Sequence, residues 1–82
     1  MSLFQDSRGV IWIGTNGNGL LKARFSSDKK LIIDNIYRHE ERNPHSLSSD
    51  YVYAIHEDLE TRSLWCGTRN GVSILPLDGE PA

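Results

Sequence analysis

Apolar and polar residues fall in short blocks along this chain, and their spacing is that of strands rather than helices. Val10-Ile11-Trp12-Ile13 is apolar at every position instead of alternating, which marks a strand covered on both faces. A second strand follows over Leu20–Phe25, then the polar turn Ser26-Ser27-Asp28-Lys29-Lys30. Leu31-Ile32-Ile33 and the weaker segment Asn35-Ile36-Tyr37-Arg38-His39 contain an outermost strand, whose mixed polarity suits an exposed edge. Residues 40–50 are charged and polar and include Asn43-Pro44, the pattern of a connector. Ser48 is able to cap a helix over residues 48–55, but Tyr51-Val52-Tyr53-Ala54-Ile55 is dense in β-branched and aromatic residues and predicts a strand. A last strand is predicted over residues 72–77, with Pro76 tolerable only near an edge or a strand end.

These blocks repeat. Asp6-Ser7-Arg8-Gly9-Val10-Ile11-Trp12-Ile13-Gly14-Thr15 returns as Asp58-Leu59-Glu60-Thr61-Arg62-Ser63-Leu64-Trp65-Cys66-Gly67-Thr68, and 53 residues separate the two tryptophans. Both copies share an Asp, a turn, an apolar-Trp-apolar strand and Gly-Thr, followed by a glycine turn at Asn16-Gly17 or Asn70-Gly71. In this pattern Asp6 and Asp58 form turns, Gly9 sits in the turn, and Gly14 and Gly67 leave room for a close neighbour. Thr15 and Thr68 end their strands. A repeat of this length, built only of strands, predicts β-propeller blades. The expected fold is all-β, about one and a half four-stranded antiparallel blades. Residues 1–39 make the first blade with a partial inner strand, 40–50 the connector, and 51–82 a second blade lacking its outermost strand. Such a set needs either the other blades of a larger propeller or self-association, because exposed blade faces must be covered.

The stretch Asp6-x-x-Gly9-x-x-Trp12-Ile13-Gly14-Thr15, together with Asn43-Pro44-His45-Ser46-Leu47-Ser48-Ser49-Asp50 and the strand ending in Glu57-Asp58, resembles the two-component regulator propeller repeat. The resemblance implies the periplasmic sensor region of a bacterial hybrid two-component histidine kinase. In Bacteroides-like gut organisms such sensors respond to oligosaccharides, and the full proteins continue through a membrane helix and a kinase core. The second copy departs from the pattern, with one residue more in its turn and Cys66 where the family carries Ile. Two other functions stay open: a purely structural or oligomerisation blade, and part of a streptogramin-lyase-like propeller enzyme.

Charge and composition narrow the choices further. A formal charge of −2 over 82 residues gives no basic stripe for nucleic acid. No apolar stretch approaches the roughly 20 residues of a membrane span, so no direct membrane contact is expected of this segment. Met1-Ser2-Leu3-Phe4 lacks the charged start and apolar middle of a signal peptide. His39, His45 and His56 have no metal-ligand spacing, and no cofactor or catalytic motif is present. His56-Glu57-Asp58 does not converge, since neighbours on a strand point to opposite faces. Trp12 and Trp65 sit inside apolar strands, which assigns them to packing between blades rather than to sugar stacking. Cys66 occupies the position of Ile13 and reads as a small buried hydrophobe. Arg42, Asn43 and His45, on the connector, are the candidates for ligand contact, because connectors gather on propeller faces.

Overall fold

The computed structural model describes residues 1–42 and 46–77. These form seven strands: β1 Ser2–Gln5, β2 Ile11–Gly14, β3 Leu20–Phe25, β4 Leu31–Tyr37, β5 Val52–Asp58, β6 Ser63–Thr68 and β7 Gly71–Pro76. They build two antiparallel sheets in simple up-and-down order, β1-β2-β3-β4 and β5-β6-β7. The fold is therefore all-β, with propeller-like blades of four and three strands.

The repeat seen in the sequence is also a repeat in register. Phe4 pairs with Trp12 as His56 pairs with Trp65, and Ser2 pairs with Gly14 as Ala54 pairs with Gly67. Each sheet thus has two faces that alternate along every strand. One face of the first sheet carries Trp12 and Leu20, both fully buried, with Phe4 and Tyr37 beside them. It packs on the opposite kind of face of the second sheet, where Leu64 and Cys66 are fully buried and Ile55 and Leu75 join them. Val52 and Leu47 close this core, so the connector contributes to it and is more than a tether.

Hydrogen bonds across the sheets fix the same arrangement. Val52 N–H donates to the Thr15 carbonyl at 2.8 Å, and the amides of Gly17 and Gly19 both donate to the Asp50 carbonyl. At the other end Glu57 accepts from Ser7 N–H at 2.8 Å and from Ser7 Oγ at 2.6 Å. Close approach explains Gly14: an added Cβ would lie 2.9 Å from the Val52 carbonyl oxygen. Gly19, at φ +85°, would place a Cβ against the Tyr37 carbonyl oxygen.

Two details differ from the sequence reading. The outermost strand is one continuous element through Asp34-Asn35, and the register shift between Lys22 and Ala23 absorbs the irregularity. Its polar interruption is accommodated at the surface, where Asp34 pairs with Arg24 at 3.1 Å. The doubly apolar strand β2 is buried on both faces, but its Ile11 and Ile13 are covered by Ala23 and Leu21 of their own sheet, not by a further sheet.

Candidate functional site

Asp6 is only 5% exposed, and its carboxylate accepts four hydrogen bonds. It stands in the turn between β1 and β2, where its backbone N–H donates to the Val10 carbonyl. Its Oδ1 accepts from the amides of Arg8, at 2.8 Å, and Val10, at 3.1 Å. Its Oδ2 accepts from Trp12 Nε1 at 2.9 Å and from Arg8 Nη2 at 3.1 Å. Burial by itself would raise the carboxyl pKa, but the bonds from Trp12, Arg8 and Val10 outweigh it and hold the group below its ordinary value. This clasp sets the turn and aims the Trp12 ring into the core, where it lies 5.9 Å from Tyr37. Lys22, also buried, places its Nζ over the Trp12 ring, 6.0 Å from the centroid. With every acceptor position occupied by groups of the fold, the arrangement is a structural lock and not an acid–base pair.

Asp58 holds the corresponding place in the second copy but has different partners. It accepts from Glu60 N–H at 3.2 Å and Thr61 Oγ1 at 2.8 Å. The extra residue in this turn is the cause: the carboxylate serves the longer loop, which Arg62 closes in a left-handed conformation at φ 53°. Trp65 consequently has no carboxylate clasp among the described residues. The packing assigned to both tryptophans holds within the chain for Trp12 alone. Trp65 lies on the outward face of β6 and is 42% exposed, because Leu64 and Cys66 take the inward positions. Cys66 is fully buried, and desolvation pushes its thiol up to about 11. Thr15 and Thr68 each close the following glycine turn, donating to the carbonyls of Gly19 and Gly71. Gly9 has φ 87°, as its turn requires.

The connector lies along an open groove of about 940 Å³ between the end of β4 and the edge of β7. Its walls include His39, Glu40, Glu41, Ser48 and Ser73 over the more apolar Tyr37 and Leu75. His39 Nδ1 meets the Leu47 carbonyl at 2.6 Å, and its N–H donates to Asp50. Ser48 Oγ is shared with Thr68 Oγ1 and Ser73 Oγ, both at 2.8 Å. Of the three connector candidates, Arg42 is exposed and beside this groove in sequence but does not line it. Asn43 and His45 lie outside the described residues. Sequence reasoning missed Leu47, whose burial within a polar connector carries no periodic signal, and missed Ser48 and Ser73, which meet only through the fold. His56 is exposed, while Glu57 turns to Ser7 and Asp58 to its own loop, so the three do not converge.

Among the described residues, no group of three or more His, Cys, Asp or Glu is placed to hold a metal ion. No curated protein matches the chain. Residues 1–17, which contain β1, the Asp6 clasp and Trp12, match the family described as the two component regulator propeller.

Proposed function

We propose that this chain is a non-catalytic propeller segment of the periplasmic sensor domain of a hybrid two-component sensor histidine kinase/response regulator, and that the sensor recognises oligosaccharide. The observation that carries the reading is the match of residues 1–17 to the two component regulator propeller. The groove beside the connector supports it, since serine hydroxyls, carboxylates and a histidine above an apolar floor suit a hydroxyl-rich ligand. Titrating defined plant and host oligosaccharides into the protein by calorimetry tests the recognition step. Heat from at least one glycan is the expected result. Absence of heat with every glycan, from a folded protein, contradicts it.

A purely structural role is the second reading, and one observation favours it. Ser48 is bonded to both Thr68 and Ser73, and His39 is held by Leu47, so these groups are already satisfied within the fold. Sequencing the flanking coding region separates the parent architectures. A membrane helix and kinase core support the sensor, while a closed propeller with convergent acid–base residues supports a lyase.

A further inference from the structure

The two sheets pack by joining unlike faces of a repeated unit, and each leaves the other face uncovered. On the first sheet this outer face carries exposed Leu3 and Phe25 beside Ile11, Ile13 and Ala23, which neighbours in their own sheet already bury. By the repeat these stand where Ile55, Leu64, Cys66, Leu75 and Leu77 stand on the second sheet, the set that receives Trp12. On the second sheet the uncovered face carries His56, Trp65, Gly67, Val72 and Ile74. These stand where Phe4, Trp12, Gly14, Leu20 and Lys22 stand on the first. Leu3 and Phe25 are 73% and 62% exposed, and Val72 and Ile74 are 61% and 55% exposed. None of these positions on either uncovered face is Lys, Arg, Asp or Glu, and clustered exposed apolar residues of this kind mark an interaction surface.

We propose that the outer face of the second sheet docks on the outer face of the first sheet of another copy of this chain, head to tail. The contact continues the interface already present between the two sheets, with Trp65 entering as Trp12 does and Ile11 and Ile13 receiving it as Leu64 and Cys66 do. Gln5 takes the place of Glu57, so its side-chain carbonyl is set to accept from the turn after Asp58 of the neighbouring copy. Ile74 replaces the buried Lys22, which makes the docking face more apolar than its counterpart inside the chain. A contact between unlike patches is heterologous and closes into a ring when its rotation permits. The inference depends on the sheet geometry and not on the sensing assignment.

Light scattering on the full chain and on two single variants tests it. Leu3→Glu spoils one face and Ile74→Glu the other; both residues are outside the core, and unchanged near-ultraviolet dichroism verifies the fold. The unmodified chain is expected to associate at concentrations up to about 1 mM, and each variant alone to lose association. Mixed in equal amounts, the variants are expected to form a heterodimer through their one intact pair of faces. A monomeric unmodified chain overturns the proposal. So does a variant that associates alone as the unmodified chain does, which is the mark of like faces meeting, or a mixture that stays monomeric.

Discussion

Replacing Asp6 with Asn tests whether the turn clasp holds the first blade on the second. The carboxylate accepts four hydrogen bonds, two from backbone amides and two from the side chains of Trp12 and Arg8. An Asn amide can keep the two backbone donors on its oxygen, but its NH2 then faces Trp12 Nε1 and Arg8 Nη2, donor against donor. Leaving the buried indole N–H unsatisfied costs about 1–3 kcal/mol, and the lost charge-assisted bond to Arg8 adds to it. For a chain of this length total stability is about 4–12 kcal/mol, so a loss near 2–4 kcal/mol is a large part of the whole. Asp58→Asn is the control: its partners are Glu60 N–H and Thr61 Oγ1 in a surface loop, and a loss below about 1 kcal/mol is expected. Urea unfolding followed by tryptophan emission reads both variants. Acid sharpens the comparison, because a carboxyl held below its ordinary value stabilises the fold above its unfolded pKa, and that contribution is lost as pH falls through the lowered folded value. The advantage of the parent over Asp6→Asn should therefore shrink below about pH 4. Equal losses for the two Asn variants at neutral pH, or a gap that does not narrow in acid, would refute the clasp.

Two further outcomes follow from the same geometry. Gly19→Ala combines a left-handed backbone with a collision at the Tyr37 carbonyl, whereas Gly71→Ala meets open space at a similar φ. Thermal melts should show the first variant losing clearly more than the second, whose cost is about 1–2 kcal/mol. Cys66, fully buried with its thiol raised to about 11, should resist alkylation at pH 8 and react only after denaturant is added; rapid labelling of the folded protein contradicts the packing of β6.

Much of the fold is legible in the residues because the repeat is written in unusual ones. Trp12 and Trp65, each before x-Gly-Thr, locate both central strands, and the Asp before each turn locates the strand that precedes it. What the residues do not state is which face has a neighbour. Trp12 and Trp65 have nearly the same local sequence and opposite environments, since burial depends on whether another sheet stands opposite. The single extra residue after Asp58 is visible as an insertion, but its consequence, a carboxylate turned away from Trp65, comes from loop geometry. Leu47 and the Ser48–Ser73 bond are equally hidden, since Leu47 is buried in the core that both sheets share and Ser48 meets Ser73 across 25 residues of chain. The candidate groove is assembled the same way, from β4, the connector and β7.

The central claim is that two consecutive propeller blades pack through the Trp12 face of the first and the Leu64–Cys66 face of the second. Nuclear Overhauser contacts in the full chain test it most directly. The account predicts signals from the Gly14 α-protons to the Val52 methyl groups, and from the Trp12 indole to methyl groups of the second sheet, with none of the latter kind from the Trp65 indole to the first sheet of the same chain. Trp12 signals confined to its own sheet, or the two tryptophans exchanging these roles, would contradict it.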